Sequence, residues 1–195
     1  MATNVSNIAE IGKSARLLTS LVQAEGSVGH PLIADGDQFA GRNATRDLAD
    51  VVHYLCTLHG RYPGVIDHAA TRTAHVGARE WLIRAVDGFV VERNFLTKLV
   101  VAAGPMPSTP GQAESESAVT GQRHALEMLA QSDREGCALG AALTLVLDWA
   151  AIRSIMNRAA MRCCGVPPQS ASMPESTSIA LAGSNRKVIT SRAMG

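Results

Sequence analysis

Between residues 64 and 103 the apolar residues Trp81, Leu82, Ala85, Val86, Phe89, Leu96, Leu99 and Val100 recur three and four positions apart, and Glu80, Arg84, Asp87 and Lys98 fall on the other side. That spacing lays one apolar stripe along a helix with a charged face opposite, whereas a strand would alternate its faces every second residue. The period runs through most of the chain. Asn7, Ile8, Ala9 and Glu10 have the form of a capping box, and Ile8, Ile11, Ala15, Leu18 and Val22 follow it, which predicts a first helix over about 7–25. Leu48, Val51, Val52 and Leu55 mark a second, capped by Thr45 with Asp47 in its first turn and ended by Gly60 and Pro63. The segment 64–103 carries a break at Gly77, and a further helical pattern runs from about 118 to Cys163, kinked or interrupted near Gly136 and Gly140. Gly26 to Gly41, with His30-Pro31 and Asp35-Gly36-Asp37, and the three-proline segment Gly104 to Gly111 are connections, the second re-entering helix at Thr109-Pro110-Gly111-Gln112. No alternating strand pattern occurs, so five to six helices joined by short links predict an all-α antiparallel bundle.

The 195 residues suffice for one domain with a real core, and 46% of them are apolar. Beyond Gly165 the chain is rich in Pro and Ser and loses its period, which divides it into a helical domain over 1–165 and an expected disordered tail over 166–195. Basic and acidic residues number 18 and 17, a balance that excludes a dedicated nucleic-acid binder. The uncharged run from Gly136 to Leu147 is interrupted by Asp148 before membrane-spanning length, so it reads as a helix buried in protein, with no membrane partner. Glu10 and Lys13 break any secretory signal, and Cys56, Cys137, Cys163 and Cys164 form no Cys-x-x-Cys pair. These features predict free thiols in a reducing cytoplasm. Cys56 lies between His53 and His59, yet no second ligand pair follows at zinc-finger spacing.

Ionisable residues on inward stripes are expensive to bury unpaired, so their positions locate candidate sites. At about 100° per residue, His59 aligns with Leu48, Val52 and Leu55. Glu92 and Arg93 fall beside Phe89, Leu96 and Val100, Asp133 aligns with Leu126, Leu129 and Cys137, and Asp148 sits in a helix apolar nearly all round. His59, Glu92, Arg93, Asp133 and Asp148 are therefore the candidate polar cluster of the core. One reading is a site for a small polar ligand, or for a metal held by His59, Glu92 and Asp133. The other is internal pairing, with Arg93 neutralised by Asp133 or Asp148 and His59 bonded to a backbone carbonyl. Asp50, His53, His124, Glu127, Gln131 and Glu135 project away from the apolar centres. His68, Arg72, His75 and Arg79 share an outward basic ridge with the chemistry to hold an anion.

Gly136, Ala138, Gly140, Ala141 and Ala142 put small residues one turn apart, a face suited to close helix packing or to a homodimer contact. The run Glu135-Gly136-Cys137-Ala138-Leu139-Gly140-Ala141 resembles the glycine-containing distal helix of bacterial haem oxygenases. That resemblance implies haem lying over the helix. The first helix lacks the proximal histidine of that family, and His59 on the second would have to substitute. The helical content also resembles the ferritin-like carboxylate proteins, which implies a di-iron site. Here, however, no Glu has a His three positions on, and Asp50-x-x-His53 and His124-x-x-Glu127 both project outward. Phosphate-loop, nucleophile-elbow and zinc-helix motifs are absent. The expectation is a non-catalytic helical-bundle protein that acts as a module for a protein partner or a small ligand, with a metal- or haem-binding bundle as the alternative.

Overall fold

A computed structural model of the chain describes residues 16–30, 39–134 and 136–174. The capping box at Asn7–Glu10, the turn at Asp35–Asp37 and Glu135 lie outside the described residues. The described residues form an all-helical bundle of six helices: α1 over 16–25, α2 Ala44–His59, α3 Val65–Arg72, α4 Val76–Ala103, α5 Gln112–Ala130 and α6 Cys137–Cys164. A 3-10 turn, Ser27–Gly29, follows α1 and rests on α6. No strand occurs among the described residues.

Most of the stripe that predicts α4 is buried: Trp81, Leu82, Ala85, Phe89, Leu96 and Leu99 face the core from this one helix, joined by Phe95, which the stripe leaves out, while Val86 and Val100 are half-buried. Leu48 and Val52 of α2, Ile66 and Ala69 of α3, and Ala142, Val146 and Trp149 of α6 close around them. The eight-residue α3 touches α4, α5 and α6, and so plugs one end of the bundle. Helix boundaries depart from the periodic reading at the starts of α2, α4 and α5; Thr45, expected as the cap of α2, lies inside that helix, which starts at Ala44 behind Asn43. The break expected at Gly77 falls earlier, because Thr73 and His75 are extended and the His75 ring caps α4 by accepting from the Ala78 amide. The pattern followed from about 118 begins earlier, at Gln112, and its interruption falls where it is expected: α5 stops at Ala130 and α6 starts at Cys137 behind Gly136, whose φ is 77°.

α6 is the one helix among the described residues that is long and apolar enough to cross a membrane, and 44% of its most apolar stretch is buried inside the bundle. Asp148 does not interrupt it.

The chain does not leave the bundle at Gly165. A left-handed Gly165 donates its amide to the Met161 carbonyl, and Val166 donates to Ala160, an arrangement that ends a helix and turns the chain back. Residues 166–174 have no regular structure, yet Val166 and Met173 pack on the core. Asn157 holds the segment by both of its amide atoms: Nδ2 donates to the Gln169 carbonyl at 2.8 Å, and Oδ1 accepts from the Gln169 amide at 3.3 Å. Farther on, the segment crosses α4 at Gly88, where any Cβ would collide with the Ser172 carbonyl oxygen. The rest of the expected tail, 175–195, lies outside the described residues.

Candidate functional site

The five residues expected to point inward separate into four environments. Glu92 is fully buried, and both its oxygens are used. Oε2 accepts from Arg153 Nε at 2.7 Å and from Trp149 Nε1 at 3.0 Å, while Oε1 accepts from the Ser172 amide at 2.9 Å. Arg153 in turn lies flat against Phe95, with its guanidinium carbon 3.2 Å from the ring centroid, and donates to Asn157 Oδ1. This network is closed: a buried carboxylate is neutralised by a buried guanidinium, and its remaining lone pair is given to the returning chain.

Asp148 accepts from the Ser27 amide at 2.7 Å and from the Ser27 hydroxyl at 2.6 Å, so it fastens the 3-10 turn to α6. Asp133 does not face the core. It is 93% exposed, in the link after α5, and pairs with Arg72. The projection that turned it inward assumed a continuous helix, and α5 ends three residues before it. Arg72 and His75 lie on either side of the break between α3 and α4, so the basic ridge expected over residues 68–79 is not one helical face. The partner of Arg93 is neither Asp133 nor Asp148 but Asp67, whose Oδ2 also accepts from the Gly64 amide at 2.8 Å at the start of α3.

His59 is the last residue of α2 and is buried, with 8% of its surface exposed. Its ring meets Phe89 and Trp149 edge to face, at 6.1 and 5.2 Å between centroids. Burial among these rings lowers its pKa from 6.5 to about 4, so the imidazole is neutral at pH 7. It borders a cavity of about 10 Å3, space for one water, whose walls include Arg61, Gly64, Arg93, Arg123 and Glu127. Four buried side-chain nitrogens or oxygens lack a hydrogen-bond partner among the described residues, and three of them belong to residues of this wall: His59 Nδ1, Arg93 Nε and Arg123 Nε. Arg123 Nε lies 3.7 Å from Glu127 Oε1, close enough for attraction and too far for a hydrogen bond.

His59, Arg93 and Arg123, each with one buried nitrogen that has no partner among the described residues, thus border a single recess. Arg123 and Glu127 project from α5, Arg93 from α4, His59 from α2, and the first turn of α3 supplies the backbone of Gly64, Val65 and Ile66. The sequence reading identifies His59 and Arg93 but leaves out Arg61 and Arg123, and it places Glu127 outward.

The metal and haem expectations do not fit this arrangement. Glu92 is saturated by three donors, Asp133 is on the surface, and no group of three His, Cys, Asp or Glu residues among the described residues could hold a metal ion. His59 is enclosed by Phe89 and Trp149 beside a space of about 10 Å3, which cannot admit a macrocycle. Around Gly136 and Gly140, a Cβ would meet nothing within 4 Å, so these glycines do not bring a neighbouring helix close.

A wider cleft of about 270 Å3 lies on the far side of α2, lined by His53, Tyr54, Thr57, Met106, Glu116 and Thr120. His53 Nε2 lies 3.0 Å from the Gly104 carbonyl, and all four cysteines are free. No curated protein and no solved structure matches the chain. A family of unknown function, DUF6975, matches residues 22–195, and the chain belongs to that family.

Proposed function

We propose that the chain is a non-catalytic helical-bundle module that binds a small polar ligand in the recess beside His59. The observation that carries this reading is that three residues of one cavity wall, His59, Arg93 and Arg123, each hold a buried nitrogen without a partner among the described residues. Buried polar groups are ordinarily satisfied by protein, by water or by a ligand, so these nitrogens mark a place that suits a small polar group. The wall contains no Ser, Thr, Cys or Lys to act as a nucleophile. A histidine that titrates near pH 4 is a weak base at neutral pH. Binding therefore accounts for the groups present better than turnover does.

The test is a screen of small polar compounds, charged and neutral, against the full isotope-labelled chain, read at the His59 ring resonances. A saturable shift that disappears in Arg123→Gln supports the proposal. If no compound moves the His59 signals at millimolar concentration, the proposal fails.

A further inference from the structure

We infer that the cleft of about 270 Å3 on the far side of α2 binds a primary ammonium group carried on a short aliphatic chain, with Glu116 as its counter-ion. This site is separate from the recess beside His59 and does not rest on how that recess is read. α2 supplies His53, Tyr54 and Thr57, α5 supplies Glu116 and Thr120, and Met106 comes from the link between α4 and α5. A single water needs on the order of 10–15 Å3 of such space, so the cleft has room for a molecule of several heavy atoms. All six residues keep part of their surface exposed, Glu116 and Thr120 most of all, so a ligand meets them directly.

The hydrogen bonds around the cleft consume donors and leave acceptors. The Thr57 hydroxyl donates to the His53 carbonyl at 3.1 Å, and His53 Nε2 donates to the Gly104 carbonyl at 3.0 Å, since a carbonyl only accepts. Gln112 Nε2 donates to Glu116 Oε1 at 2.8 Å and to Met106 Sδ at 3.2 Å. Among the described residues, Glu116 Oε2 and the lone pairs of the Thr57 hydroxyl are left over, and the Thr120 hydroxyl can act either way. A fitting ligand must therefore bring donors, and an ammonium brings three with no acceptor. Charge points the same way: Glu116 is the one carboxylate of the lining, and no Lys or Arg among the described residues lines the cleft. Tyr54 and Met106 give the apolar part of the wall, on which methylenes can lie, and a tyrosine ring attracts a cation.

The full chain is titrated at pH 7.5 and constant ionic strength with n-butylammonium, n-butanol and butyrate, which share one chain and differ in the head. The His53 ring and the methyl resonances of Thr57 and Thr120 are followed. n-Butylammonium is expected to saturate these shifts and to bind about fivefold more tightly than n-butanol, with no saturation by butyrate. Glu116→Gln is expected to remove that fivefold preference, and Thr120→Trp, a change at an exposed position that fills the cleft, to abolish binding. Equal binding of n-butylammonium and n-butanol by the parent chain overturns the assigned class, and saturation by butyrate overturns its sign. No saturable response to any of the three overturns the site and leaves the reading of the His59 recess standing. Unchanged n-butylammonium affinity in Glu116→Gln, with thermal unfolding like the parent, also overturns the inference, as does a saturable shift at His59 in place of His53.

Discussion

Glu92 and Arg153, 61 positions apart in the chain, meet at 2.7 Å in the buried centre of the bundle and hold α4 against α6. Removing one member strands the other's charge, at a cost of about 3–5 kcal/mol, whereas replacing both with apolar side chains removes the charges together. Urea unfolding of Glu92→Met and Arg153→Met should show each single variant more unstable than the double. A double variant as unstable as the sum of the singles would mean that the pair carries no coupling.

The same carboxylate anchors the returning chain through the Ser172 amide. Ser172→Pro removes that donor, and Gly88→Ala puts a Cβ where the Ser172 carbonyl lies. Either substitution should raise amide exchange across 166–174 and expose the segment to limited proteolysis, while the helices stay protected. Unchanged protection of 166–174 in both variants would show that Glu92 does not hold the segment.

The helices and their buried faces are legible in the sequence because the 3.6-residue period records which side of each helix meets the core, and α4 follows it at Trp81, Leu82, Ala85, Phe89, Leu96 and Leu99. What the period does not record is where one helix ends and the next begins. Asp133 is assigned to the core only if α5 continues past Ala130, and the ridge from His68 to Arg79 exists only if α3 and α4 are one helix. Partner choice is a tertiary property: Arg93 finds Asp67 through the packing of α3 on α4, which no single-helix projection contains. Arg153 escapes for another reason. It lies one turn from Trp149 on a buried face, but a long arginine in an apolar helix reads equally well as a side chain reaching for solvent.

His59 ties stability to pH. Its folded-state pKa, about 4, lies below the unfolded value of 6.5, so between these values the unfolded chain binds a proton that the folded chain refuses. Stability from this residue is fully present above about pH 6.5 and falls as the pH drops toward 4, by about 3 kcal/mol in all. Urea unfolding midpoints measured from pH 7.5 to pH 4 should decline, and His59→Leu should remove that part of the slope. An identical pH profile in His59→Leu would mean that carboxylates alone cause the decline.

Gly121 in α5 and Gly140 in α6 are both inside helices, and a Cβ on either would meet nothing within 4 Å of the single chain. Alanine is the better helix former by about 0.5–1 kcal/mol, so Gly121→Ala and Gly140→Ala should each raise the unfolding midpoint by a similar amount. The comparison also tests self-association through the Gly136 and Gly140 face. If a second copy approaches its backbone there, Gly140→Ala will destabilise the protein and shift its light-scattering mass toward a monomer, while Gly121→Ala still stabilises it. Equal stabilisation by the two alanines, with no change in mass, excludes a dimer that depends on close approach at Gly140.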